Sequence, residues 1–137
     1  MLGAHVADVW AVPAHTAGHI AYHDFEGVTV RDEEGARLVA NLGDKRMLLL
    51  RNHGAMTVGR TVGEAFNWMH RLELSCRTQL AAMACNTPLV EVSAAVLQET
   101  WNNYQPGTRR PYGVLEWPAM LRLLRADGSE GYPPYDA

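Results

Sequence analysis

Short apolar runs bounded by turn residues predict the strands of this chain. The run MLLLRN at 47–52 is compact and largely apolar, which is typical of a central strand covered on both faces. The segment AMTV at 55–58 predicts a second strand after a tight turn. Farther upstream, IAYHDFEGVTV at 20–30 mixes β-forming residues with Gly27. It predicts two short extended pieces joined by a loop.

A first helix is predicted in RDEEGARLVANLG, residues 31–43. Asp32 is the predicted cap, acidic residues occupy the first turn, and Gly43 is the predicted stop. The face expected to be buried consists of Leu38, Val39 and Leu42.

A long helix is predicted over 61–85, because Thr61 and Glu64 match a capping box. In that motif the Thr61 hydroxyl accepts from the Glu64 N–H and the Glu64 side chain returns to the Thr61 N–H. The apolar positions at helical spacing are Val62, Phe66, Met69, Cys76, Leu80 and Met83, and the stripe is widened by Ala65, Trp68, Leu72, Leu74 and Ala82. So broad a stripe predicts contact with a sheet and with a second surface, such as another subunit.

The C-terminal third predicts two shorter helices and a tail. Helical spacing returns at 93–104, where Ser93 is the predicted cap, and again at 114–124. The last residues, 126–137, are rich in Pro and Tyr and predict an extended tail.

Composition narrows the class of protein. A length of 137 residues predicts one domain over 1–137. The net charge of −3 and the absence of a Lys/Arg cluster argue against nucleic acid and anionic membranes as partners. The opening segment lacks the features of a secretory signal and no stretch is long enough to span a bilayer. Cys76 and Cys85 lie too far apart on one helix to pair, so we expect a cytoplasmic protein with reduced thiols.

Six histidines raise the question of a metal site. His53 follows the predicted buried strand and precedes Gly54, so its ring is expected to project into a cleft at the sheet edge. A hydrogen-bonded turn histidine is the alternative.

Three other histidines have helical spacing. His15, His19 and His23 would share one face of a helix, as helical metal ligands do. Gly18 and the β-forming sequence from Ile20 favour loop and helix-end histidines instead.

The charged candidates for chemistry also have simpler interpretations. Asp24 and Glu26 are candidates for a general base, and solvated loop carboxylates are the alternative. A carboxylate or phosphate could be bound by Arg109 and Arg110 with Tyr112. The alternative is that these residues form a solvated charged turn. The sequence contains no nucleophile elbow, P-loop or dinucleotide fingerprint.

Three consecutive segments resemble the class II aldolase/adducin family: IAYHDFEG, NLGDKRMLLLRNHGAMTVG and TVGEAFNWMHRLELSCRTQLAAMA. The resemblance is strongest over 18–84. It implies a three-layer α/β/α fold around a mainly antiparallel central sheet. It also implies a metal-dependent enzyme, with zinc the expected ion and manganese the alternative, that forms homo-oligomers such as tetramers. By match with the family's NHG turn, His53 would be a metal ligand.

The chain departs from the family pattern at the other ligands. Family members supply two more from an H-x-H pair and place an acid/base glutamate ahead of it, but this sequence contains no H-x-H. Met1 lies downstream of where that pair would fall, which predicts an N-terminally shortened domain. Since a catalytic zinc normally has three protein ligands, the others would come from another chain or from His15, His19 or His23.

Two functions compete on these grounds, and a late start of the sequence is a third explanation for the missing motif. The first function is a metal-dependent carbon–carbon lyase of the aldolase, decarboxylase or epimerase kind. It would act on a small hydroxylated carbonyl or carboxylate compound, with His53 as ligand and Asp24 or a residue of a neighbouring chain as acid/base. The second function is a non-catalytic, adducin-like assembly domain, favoured by the broad apolar helix at 61–85.

Overall fold

The computed structural model describes residues 16, 18–27, 33–105, 107–108 and 110–126. Three strands and four helices occur in this part of the chain. In chain order they are β1 (Ile20–His23), α1 (Glu33–Leu42), β2 (Met47–Leu50), β3 (Gly54–Thr57), α2 (Val62–Ala84), α3 (Ala94–Asn103) and α4 (Glu116–Ala126). A bilayer-spanning helix is not found among these residues. The predicted cap Asp32, the second extended piece at 28–30, and all of the 126–137 tail except Ala126 lie outside them.

The sheet of the described residues is mixed, so the expectation of a mainly antiparallel sheet is supported only in part. The strand order is β1-β2-β3. β1 pairs with β2 in parallel, with Ile20 opposite Met47, whereas β2 pairs with β3 antiparallel, with Met47 opposite Thr57. The connections explain the difference: α1 lies in the crossover between β1 and β2, whereas a tight turn joins β2 to β3.

Both faces of β2 are covered, as the apolar run predicted. Met47 and Leu48 are both fully buried and, as neighbours in a strand, point to opposite faces. Met47 packs in a cluster with Trp68 and Leu72 of α2. On the Leu48 face, the His23 ring contacts Asn41 of α1. Helices therefore cover the two faces of the sheet.

The helix boundaries follow the sequence pattern closely. α2 begins after Thr61, whose hydroxyl accepts from the Glu64 N–H at 3.1 Å. α3 begins after Ser93, whose hydroxyl accepts from the Val96 N–H. One detail of the capping box is wrong: Glu64 Oε2 accepts from the Arg60 N–H at 2.8 Å and not from Thr61.

The helix faces follow the pattern less well. Val39, expected to be buried, is 71% exposed, and no residue of α1 is fully buried. In α2 the buried side chains include Trp68 and Leu72 together with polar ones, whereas most of the predicted stripe faces outward. The exposed apolar side chains of α2 are Val62, Phe66, Met69, Leu74, Leu80 and Met83.

The C-terminal segment closes the core. The Tyr112 ring lies edge-on to Trp68, with 4.7 Å between ring centroids. Gly113 has φ +89°, and a Cβ there would lie 2.4 Å from the Gly63 carbonyl carbon. The loop before α4 therefore contacts the backbone of α2 directly, an approach that a larger residue at 113 would prevent.

Candidate functional site

The turn between β2 and β3 presents His53 at one edge of the sheet. Three residues, Arg51 to His53, join the two strands, and the His53 N–H donates to the Leu50 carbonyl at 3.0 Å. Asn52 has φ +55°, a left-handed conformation that asparagine adopts more readily than most residues. The backbone of the turn therefore fixes the position from which the His53 side chain extends.

The His53 ring is exposed and not sealed inside packed protein. Its ring neighbour is Phe25, with 6.2 Å between the two centroids, and the Phe25 ring is itself about half exposed. A ring in this position is accessible to a ligand or to another chain, while the predicted cleft around it stays a prediction.

Asp24 lies at the same edge, because β1 and β2 are parallel and both end there. Its carboxylate is 85% exposed and 3.3 Å from Arg51 Nη1. The Arg51 guanidinium also lies over the Tyr22 ring, 5.2 Å from its centroid. Asp24 is therefore a solvent-exposed carboxylate held near the His53 turn by an ion pair.

His23 is buried at the end of β1 and is bonded within the fold. Its Nδ1 is 2.7 Å from the Asn41 amide nitrogen, and because that group only donates, Nδ1 accepts and the proton of the neutral ring lies on Nε2. Nε2 lies 3.7 Å from a Glu26 oxygen and 3.8 Å from a Glu34 oxygen. His23 thus links the end of β1 to α1.

His19 lies before β1, at the opposite end of that strand. Its ring is tilted against Trp68, with 4.8 Å between ring centroids, and stacked with Trp101 at 6.3 Å. Burial lowers the pKa of His19 below its ordinary value, and the positive charges of Arg46 and Lys45 lower it further. His15 lies outside the described residues.

The described residues do not by themselves provide all the ligands of a metal site. No group of three His, Cys, Asp or Glu side chains within them is arranged to hold an ion. A catalytic zinc normally has three protein ligands and one open position. His53 offers one exposed imidazole, and His19 and His23 lie at opposite ends of β1.

Other charged residues have structural partners. Glu26 forms an ion pair with Arg37 of α1, and Arg110 forms one with Glu116 at 3.0 Å. Tyr112, expected with Arg110 in a recognition turn or a solvated one, is buried in the core. Arg109 lies outside the described residues.

The sequence pattern did not predict a cavity at the edge of the sheet where β1 and β2 begin. His19, Arg46 and Arg60 are among the residues that line it. The available signal was an arginine directly before the apolar run and another shortly after the AMTV strand. In a hairpin those two positions come to the same edge.

Comparison with known proteins identifies the family to which this fold belongs. The sequence model of the class II aldolase and adducin N-terminal domain matches residues 4–80. The solved aldolase II superfamily protein from Pseudomonas syringae superposes with a TM-score of 0.71 at 34% identity, covering 88% of this chain and 50% of that one. The chain belongs to the class II aldolase and adducin family, and the resemblance seen in the sequence is confirmed.

Individual relatives carry different names within that family. A class 2 aldolase protein of Caulobacter vibrioides is 37% identical over 113 residues, which are 82% of this chain and 44% of that protein. A decarboxylase of Streptomyces niveus is 35% identical over 98 residues, covering 64% and 36% of the two chains. Rat alpha-adducin is 43% identical over 72 residues, covering 52% and 10%. The chain spans less than half the length of each of these relatives.

Proposed function

We propose that this chain is a metal-dependent carbon–carbon lyase of the aldolase, decarboxylase or epimerase type, with His53 as one ligand of the ion. The substrate class is a small hydroxylated carbonyl or carboxylate compound. The observation that carries the proposal is the exposed His53 ring on a conformationally fixed turn at the strand-end edge. The decarboxylase relative supports this class of chemistry.

A divalent ion, zinc or manganese, would polarise a carbonyl oxygen of the substrate. His53 would hold the ion, and Asp24 at the same edge is the proposed acid/base because its carboxylate is exposed to a substrate. Since no group of three ligating side chains occurs within the described residues, the proposal requires further ligands from residues outside them, such as His15, or from a second chain. In the second case, metal binding and association of chains would occur together.

The test is the metal content of the full chain, produced with zinc and manganese supplied and measured by elemental analysis. We expect stoichiometric metal in the unmodified protein and its loss in His53→Ala, a change at an exposed position that leaves the core intact. His70→Ala is the matched control, because His70 is an exposed histidine on α2 that stacks on Phe66. The proposal fails if the unmodified chain binds no metal, or if His53→Ala retains it.

A second candidate is a non-catalytic assembly domain, as the alpha-adducin relative suggests. The observation that favours it is the outward apolar face of α2. Val62 is 74% exposed, Met83 is 52% exposed, and Phe66 and Leu80 are also exposed. An apolar face of this kind is typical of an interaction surface, so we propose that α2 associates with a second copy of the chain.

A further inference from the structure

A cavity of about 280 Å³ lies at the edge of the sheet opposite His53. The topology brings its residues together. His19 precedes β1 and Arg46 precedes β2, and these strands are parallel; Arg60 follows β3, which runs antiparallel to β2. All three therefore meet at one edge, separated from the His53 turn by a four-residue strand of about 13 Å.

The cavity has an aromatic wall. It is lined by His19, Trp68 and Trp101. The His19 ring is tilted by 41° against Trp68 and stacked with Trp101. A Cβ at Gly18 would lie 2.7 Å from Trp101 Cδ1, so the glycine allows the indole to pack against the backbone before β1. The wall thus combines residues from three separate parts of the chain.

Two buried polar atoms of this wall lack a hydrogen-bond partner within the described part of the chain. They are Nε2 of His19 and Nε1 of Trp68, on side chains that are 8% and 3% exposed. Buried polar atoms in folded proteins are nearly always satisfied. The indole N–H can only donate, so the missing partner of Trp68 is an acceptor.

The charge around the cavity is net positive. Lys45, Arg46, Arg60 and Arg110 contribute four positive side chains, against the carboxylates of Asp44 and Glu64. Lys45 pairs with Asp44 at 3.4 Å and Arg110 pairs with Glu116. Glu64 accepts a hydrogen bond from the Arg60 N–H. Among the described ion pairs none involves the guanidinium of Arg46 or Arg60.

We propose that this cavity binds a small anion carried on a planar ring, a carboxylate or a phosphate ester, at a site separate from the His53 edge. The ring packs along the indole and imidazole wall, and the anionic oxygens accept from the guanidinium groups of Arg46 and Arg60. Guanidinium groups bind both kinds of oxyanion through paired N–H donors. The volume accommodates a single ring with its anionic group, slightly below the usual range for larger ligands.

The test is a titration of the full chain with benzoate, phenyl phosphate and benzamide, monitored through the indole N–H signals in NMR. Benzamide has the shape of benzoate without its charge. We expect saturable shifts of the Trp68 and Trp101 signals with one or both anions and none with benzamide. Trp117 packs on Phe66 away from the cavity and serves as the internal reference. The stronger of the two anions identifies the carboxylate or the phosphate as the preferred group.

Variants make the assignment specific. Arg46→Gln and Arg60→Gln should each weaken binding about tenfold, the effect of losing one charge-assisted hydrogen bond. Arg77→Gln is the control, because Arg77 is exposed on α2 and pairs with Glu73. His53→Ala should leave binding unchanged, so this proposal and the metal proposal fail separately. The absence of saturable shifts, equal binding of benzamide, or indifference to both arginine changes would overturn the site.

Discussion

Three histidines of this small domain occupy three different environments at the residue scale. His53 is exposed on a turn, His23 is buried and bonded to Asn41, and the His19 ring contacts the indoles of Trp68 and Trp101. Because these environments differ in exposure and in bonding partners, the three residues differ in what they contribute to stability and binding.

His19 makes the stability of the protein depend on pH. Its pKa is lowered in the folded state by burial and by Arg46 and Lys45, with Asp44 opposing. The unfolded chain therefore binds more protons at His19 than the folded chain. The stabilisation is complete above the ordinary value of about 6.5 and is lost as the pH falls below it.

The measurement is urea unfolding of the unmodified chain and of His19→Gln at about pH 7.5 and about pH 5.5. We expect the unfolding free energy to fall more on acidification in the unmodified chain than in the variant. Comparing the fall within each protein removes any constant cost of the substitution. Equal falls in the two proteins would show that His19 is not the responsible group.

The sequence predicted the position of a site residue only where that position depends on residues nearby in the sequence. The strand before His53 and Gly54 after it placed this residue at a sheet edge from local pattern alone. The spacing of His19 and His23 is compatible with a shared helical face, but His19 directly precedes β1 and His23 is its last residue. Their partners, Asn41 for His23 and Trp68 and Trp101 for His19, are far along the chain, and spacing carries no information about them.

The start of α2 illustrates the element scale. Thr61 caps the helix through its hydroxyl, as the capping box predicted, while the Glu64 carboxylate extends one residue farther back to the Arg60 N–H. The motif thus fixed the first turn correctly. Met47 and Tyr112 pack on Trp68 and Leu72 and so determine which face of α2 is buried. The apolar pattern of the helix alone could not predict that face.

Removing the cap should destabilise the protein measurably. In Thr61→Ala the Glu64 N–H loses its side-chain acceptor, and we expect a loss of about 1 kcal/mol in the unfolding free energy. Thr61→Ser keeps a hydroxyl and should retain most of the stability. Thr78→Ala is the control within the same helix, because its hydroxyl bonds to the Leu74 carbonyl on an exposed surface.

Chemical denaturation of the four proteins gives the comparison. If Thr61→Ala and Thr61→Ser lost equal stability, the hydroxyl would not be the stabilising group. If Thr78→Ala lost as much as Thr61→Ala, the effect would come from replacing any helical threonine and not from the cap.

The whole molecule combines a mixed sheet with an outward apolar helix. The local pattern predicted the strands, yet not the parallel pairing of β1 and β2, since residues 24–46 determine how the chain returns to the sheet. The width of the apolar stripe in 61–85 predicts a second contact surface. The structure leaves much of that face exposed within the described residues, and its contact with another subunit stays a prediction.

The assembly proposal predicts a defined change in mass. Leu80→Glu and Met83→Glu place charges on the outward face of α2, where both side chains are about half exposed. We expect the unmodified chain to sediment as an oligomer at micromolar concentration and the variants to sediment as monomers, because a charge buried in an apolar contact is costly.

Leu123→Glu, on the exposed surface of α4, is the matched control and should remain oligomeric. A monomeric unmodified chain, or oligomers that persist in both α2 variants, would remove the support for this interface. Repeating the run with a chelator separates assembly through α2 from assembly that depends on a shared ion.

The Tyr112 ring against Trp68 has a practical consequence for anyone producing this domain. The sequence model of the family matches residues 4–80, while the aromatic pair joins residue 68 to residue 112 across that limit. A recombinant fragment trimmed to the recognised region would leave one face of the indole in water and the Gly63 backbone uncovered. Expression boundaries should therefore extend through Trp117, whose side chain packs on Gly63 and Phe66.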